Sequence, residues 1–100
     1  VPDAPESPAV SDVFHDNCTI TWQPPLSDGG APIIGYQLER KTGTSQRWVK
    51  ANKDLIPELT FKAEDLIEGN QYEFRVAAEN KAGLGPYSSP SQPITAKDPW

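Results

Sequence analysis

The sequence predicts an all-β fold, a seven-stranded antiparallel β-sandwich, and three observations predict it. Eleven prolines and seven glycines in 100 residues leave few windows of helical length without a breaker. Several short stretches alternate apolar with polar residues, which is the period of a half-buried strand. Turn residues separate seven such stretches, the spacing of a sandwich.

Residues 1–8 hold three prolines and two acids and read as an extended lead-in. Proline cannot donate to a ladder, so it suits a lead-in or an edge. The first strand is expected over 9–14, and His15-Asp16-Asn17 is a turn. Cys18, Ile20 and Trp22 then alternate with Thr19, Thr21 and Gln23, giving a second strand with the first set inward. Pro24-Pro25 stops that strand, and Asp28-Gly29-Gly30 lets the following loop adopt positive φ.

A third strand over 33–40 puts Ile34, Tyr36 and Leu38 on one face. A polar connection over 41–46 leads to a short strand, 47–51, carrying Trp48. After a loop at 52–58, the strand at 59–66 turns Phe61 and Ala63 inward and ends on Leu66.

The chain is organised around its next strand. Gly69-Asn70 is turn chemistry. Beyond it Tyr72, Phe74, Val76 and Ala78 fall on one face, and Glu73, Arg75, Ala77 and Glu79 on the other. Leu66, a glycine turn and a tyrosine opening a strand resemble a tyrosine corner, in which the phenol bonds to upstream backbone and locks a crossing between sheets. A Gly-rich hairpin loop follows over 80–86. The last strand, 88–96, is broken by Pro90 and Pro93 as an edge would be, and 97–100 reads as a linker. The expected core is Trp22, Tyr36, Leu38, Leu66, Tyr72, Phe74 and Val76. An odd number of antiparallel strands brings the chain in at one end and out at the other, which suits a head-to-tail string of domains with proline-rich spacers.

The formal net charge is −5, from 9 basic and 14 acidic residues that are scattered along the chain. Nucleic acid and anionic membrane need clustered Lys and Arg, so neither is an expected partner. No apolar run approaches the ~18 residues of a membrane span, and no signal-peptide pattern is present, as holds for any excised domain. Cys18 stands alone, which rules out an internal disulfide and points to a reducing compartment.

No catalytic constellation, cofactor motif or metal-ligand spacing groups the reactive residues, so no enzyme activity is expected of this domain. His15 has only Asp16 and Cys18 close in sequence and reads as a solvated turn residue. Cys18 points inward, where a thiol behaves as a small inert hydrophobe. Asn17-Cys18-Thr19 fits the N-glycosylation pattern and matters only in a secreted chain. Asp28-Gly29-Gly30 lacks the further acids of a calcium loop and the lysine of a phosphate loop. Glu64 and Asp65 are adjacent on a strand, so they point to opposite faces and cannot act as an acid–base pair. Trp48 has two readings. It covers the stems of Arg40 or Arg75 in a cation–π stack, or it is an exposed aromatic anchor for a partner.

A set of marks resembles a fibronectin type III domain of immunoglobulin-like fold over nearly the whole chain. They are Pro8, Trp22 with Pro24-Pro25, Gly35-Tyr36-Gln37-Leu38, Leu66 and Gly69 before Tyr72, and Ala78-Glu79-Asn80 followed by Gly83 and Gly85. A narrower set resembles such domains in giant muscle proteins, nearest to the titin group, with twitchin and myosin-binding protein C as relatives. It comprises Asp28 to Ile33, Glu39-Arg40-Lys41, Arg47-Trp48, Ile67-Glu68-Gly69, Tyr72 to Val76 and Ala96-Lys97-Asp98-Pro99.

The resemblance implies a non-catalytic module spanning 9–96, cytoplasmic, in the A-band of the sarcomere. Its implied partners are neighbouring immunoglobulin and fibronectin type III domains of the same chain, with myosin or other thick-filament proteins, and the isolated domain is expected to be a monomer. Parent chains of this kind usually carry a kinase domain elsewhere. The alternative is an extracellular type III domain of a receptor or adhesion protein, with sugar on Asn17. Arg-Gly-Asp is absent, and Tyr87-Ser88-Ser89-Pro90 lacks the tryptophans of the cytokine-receptor box that stands at that place.

Overall fold

The computed structural model describes residues 1–99; Trp100, the end of the expected linker, lies outside the described residues. Eight extended segments follow one another: β1 (Ala9–Ser11), β2 (Cys18–Thr21), β3 (Gly35–Thr42), β4 (Val49–Lys50), β5 (Thr60–Ala63), β6 (Gln71–Asn80), β7 (Gly83–Leu84) and β8 (Ile94–Thr95). They form two antiparallel sheets. One has the order β1-β2-β5; the other has the order β4-β3-β6-β7, with β8 also on β6. β3 takes one side of β6, while β7 and β8 are two pieces of one broken last strand on its other side. Counted that way the sandwich has the seven strands expected.

The period-two pattern of β6 sets the core. Tyr72, Phe74, Val76 and Ala78 are all buried, and the facing sheet presents Cys18, Ile20 and Ala63 to the same cluster. Trp22 and Tyr36 meet edge-on, with ring centroids 5.7 Å apart. Leu38 and Leu66 complete the buried set expected from sequence. The corner is formed. The Ile67 N–H donates to the Tyr72 hydroxyl at 2.8 Å, and the Leu66 N–H to the Asp16 carbonyl at 3.0 Å.

Strand limits differ from expectation where backbone conformation intervenes. The first strand stops at Ser11 because Asp12 sits at φ 50°, and the fifth ends at Ala63, with Asp65 at φ 60° just beyond. The third is displaced toward its C-terminus, and its pairing with β6 begins at Gly35↔Glu79. Ile34 therefore lies past the sheet and is 54% exposed, not inward as the alternation suggested. Gly35 is required there because a side chain at this position would collide with Cβ of Leu55.

The last strand is the largest departure. Between β7 and β8, Pro86, Pro90 and Pro93 preclude a continuous ladder. Two serines replace it. The Val76 N–H donates to Ser88 Oγ at 3.1 Å and the Phe74 N–H to Ser91 Oγ at 3.0 Å. The Ser88 and Ser91 amides return bonds to the Val76 and Phe74 carbonyls at 2.8 and 2.7 Å.

Residues 1–8 contain no strand, yet Pro2, Pro5 and Pro8 are buried. The Asp3 N–H donates to the Ser27 carbonyl at 3.0 Å. The carbonyls of Val1 and Pro2 pass directly over Gly29 and Gly85, where a methyl group would overlap them. The lead-in is thus a strap laid between two loops.

Candidate functional site

The outer face of the larger sheet gathers the most distinctive side chains. The β3–β6 register sets Glu39 opposite Arg75 and Lys41 opposite Glu73. Both pairs close. Arg75 Nη2 and Nε reach Glu39 Oε1 at 2.6 and 2.9 Å, and Lys41 Nζ reaches Glu73 Oε2 at 3.3 Å. Trp48, just before β4, brings its ring centroid within 4.4 Å of the Arg75 guanidinium carbon. From the β7–β8 side Tyr87 brings a second ring within 4.5 Å. Lys41 Nζ lies 5.6 Å from the Trp48 centroid. Each such contact is worth about 0.5–1 kcal/mol at an exposed site and more as water is excluded. Burial, followed by the Glu39 carboxylate, pushes the Tyr87 phenol up to about 12.

Of the three surface residues singled out from sequence, the structure brings Trp48 and Arg75 together and leaves Arg40 apart. Arg40 pairs in register with Phe74, so it leaves β3 on the face opposite Glu39 and Lys41, and its guanidinium lies 5.7 Å from the Tyr72 centroid. Tyr87 and Glu39 were missed. A β3–β6 register would have revealed Glu39, whereas Tyr87 stands in a proline-broken segment whose facing has no readable period.

The other candidates have structural explanations. Gly30 N–H donates to Asp28 Oδ1 at 2.9 Å, and Gly29 and Gly30 take φ of 72° and 96°, which is turn geometry. Cys18 is fully buried, and desolvation raises its thiol to about 11. Asn17 Nδ2 donates to Asp16 Oδ1 at 2.7 Å. His15 is exposed but has a distant partner. Its Nδ1 and its backbone N–H both lie against Asp98 Oδ1, at 2.9 and 3.0 Å. That bond, then the Asp16 charge, raises the His15 pKa, and the same bond lowers that of Asp98. The clasp fastens the C-terminal tail to the β1–β2 turn. Among the described residues no group of three or more His, Cys, Asp or Glu side chains is placed to hold a metal ion.

Two sheets with this strand order, crossed by a tyrosine corner, define an immunoglobulin-like β-sandwich module. The chain belongs to the fibronectin type III domain family, whose pattern it matches over residues 3–94. It is similar to human cardiac-type myosin-binding protein C, with 52% identity over 94% of this chain and 7% of that protein. It therefore spans less than a tenth of that relative. A crystal structure of titin domains superposes with a TM-score of 0.93 at 40% identity, covering 98% of this chain and 33% of the other. A structure of titin kinase and its flanking domains gives 0.91 at 40% identity, covering 97% and 17%.

Proposed function

We propose that this domain is a non-catalytic structural and protein-interaction module of a titin-like sarcomeric protein, a rigid spacer in a tandem array on the thick filament. The observation that carries the reading is the fastening of both ends. The N-terminal strap lies against the Ser27 loop and packs on Gly29 and Gly85, and the C-terminal tail is held by Gly69, Asn70 and His15 at the other pole. The domain is 45 Å long and 25 by 22 Å across. A neighbour joined to either end meets a chain whose direction is already set.

In this reading residues 9–96 are the sandwich, and 1–8 and 97–100 are its connections to immunoglobulin or type III neighbours. The isolated domain is a monomer in the cytoplasm, and myosin or another A-band protein is the external partner. Any kinase lies elsewhere in the parent. Similarity to myosin-binding protein C and titin supports this assignment. Expression of the tagged domain in cultured cardiomyocytes tests it. Striped fluorescence coincident with the A-band is expected, and diffuse or secreted protein overturns the reading.

A further inference from the structure

A groove of about 560 Å³ lies between the open edges of the two sheets, bounded by residues 51–58 on one side and β5 with its continuation to Asp65 on the other. Its apolar lining includes Leu55, Ile56 and Phe61, and its polar lining carries the acids Asp54, Glu58, Glu64 and Asp65 against Lys53 and Lys62. Asp16 and Asn17 extend the same acidic strip, in a smaller hollow that shares Lys62, Glu64 and Asp65.

The first wall is preformed. Asn52 Oδ1 accepts from the Leu38 N–H at 2.9 Å and from Gln37 Nε2 at 3.1 Å, and its Nδ2 donates to the Asp54 carbonyl at 2.7 Å. Ile56 and Tyr36 exchange two backbone bonds of 2.9 Å each. A wall held this way loses little further freedom when something binds.

The second wall is a strand with an unused edge. β5 is the end strand of its sheet. The Trp22 N–H donates to the Leu59 carbonyl at 2.9 Å, and Cα partners run from Thr21↔Thr60 to Cys18↔Ala63. Antiparallel ladders alternate, so the amides and carbonyls of Thr60 and Lys62 face away from β2.

We propose that this groove is a docking site for an extended basic segment of a partner protein, which adds as a strand to the free edge of β5. Main-chain bonds to Thr60 and Lys62 would hold the segment, one apolar side chain would sit over Leu55 and Phe61, and flanking Arg or Lys would meet Glu58 and Glu64. The excess of acids over lysines selects the sign of the partner. The inference rests on the reading of the domain as an interaction module and names the face.

Titration of the ¹⁵N-labelled chain with a capped peptide alternating arginine and valine tests it. Chemical-shift changes confined to residues 51–65, with slowed exchange of the Thr60 and Lys62 amides, are expected. A peptide alternating glutamate and valine should leave the spectrum unchanged. Glu58→Lys with Glu64→Lys alters only exposed groups and should weaken arginine-peptide binding by about three- to tenfold. Thr60→Pro removes one outward N–H while keeping every charge, and should abolish the slowed exchange. Shifts scattered over the whole acidic surface, an unaffected charge-reversal variant, or no response to the peptide overturns the groove. If the charge-reversal variant still stripes the A-band when the peptide fails, the docking site falls and the spacer reading stands.

Discussion

The two faces of β6 are held by different physics. The inner face, Tyr72, Phe74, Val76 and Ala78, is at most 2% exposed and is fixed by removal of apolar surface from water. The outer face is fixed chiefly by one cation, Arg75, in contact with two aromatic rings and one carboxylate, with the Lys41–Glu73 ion pair beside it. Its margin is not wholly wet. Ala77, expected on the solvent side, is fully buried, a short side chain among the longer Gln37 opposite and Arg75 two residues away. Apart from the Tyr72 hydroxyl, the inner face asks of its residues only that they be apolar and fit. The outer face depends on specific partners, since a stack and an ion pair each fail when one member is lost.

The sharpest way to break this contrast is to hollow each face in turn. Phe74→Ala or Trp22→Ala should cost about 3–5 kcal/mol, as a core cavity does. Urea melts measure this, and a loss under about 1 kcal/mol would remove either residue from the centre of the core. Tyr72→Phe keeps the ring and deletes the acceptor of the Ile67 N–H, so its expected cost is about 1–3 kcal/mol.

On the outer face Arg75→Ala should cost about 1–2 kcal/mol, through two cation–π contacts and an orphaned Glu39. Arg75 is 29% exposed, so water partly compensates. A double-mutant cycle with Trp48→Ala should return a coupling of about 0.5–1 kcal/mol. If Arg75→Ala proved as damaging as Phe74→Ala, the division between the faces would collapse. Ser88→Ala leaves the Val76 N–H without its hydroxyl acceptor, for about 1 kcal/mol by thermal or urea melting.

The smallest effect is at the exposed clasp. The His15 pKa is raised from 6.5, so its contribution is present below that value and is lost as pH rises through the raised one. The Asp98 pKa is lowered from 3.8, so its contribution is present above that value and is lost as pH falls through the lowered one. The clasp is therefore tightest between those limits. Asp98→Asn should flatten the dependence of the His15 NMR shifts on that carboxylate and bring the His15 titration midpoint down.

These comparisons also mark what could be read from sequence. The inner face was legible because burial imposes a period on neighbouring residues: Tyr72 to Ala78 declare themselves, and so do Cys18, Ile20 and Trp22. The tyrosine corner was legible because leucine, glycine and tyrosine stand within a few positions. The outer face was half legible. Trp48 and Arg75 drew notice, but choosing between Arg40 and Arg75 needs the register of β3 on β6. Glu39 lies 36 residues from Arg75, and Asp98 lies 83 from His15. No local pattern encodes such pairings. Ile34 misled because alternation says which side a residue faces and not where the sheet ends. The strap escaped because prolines in a lead-in look the same whether free or docked.

The riveted last strand bears on how the domain carries tension. Pulled from its ends, the molecule takes the load on β1 in one sheet and on β8 in the other. β8 is antiparallel to β6 and lies along its length, so the force is a shear between them. A continuous ladder would share that shear among many equal bonds. Here it falls on the short β8 pairing and on a few discrete fasteners, the Ser91 and Ser88 bond pairs and the Tyr87 ring against Arg75. Resistance to rupture and resistance to heat therefore weight the residues differently. Ser88, Ser91 and Tyr87 bear most directly on the first, although losing Ser88 also costs about 1 kcal/mol of stability, and Phe74 and Trp22, at about 3–5 kcal/mol each, dominate the second.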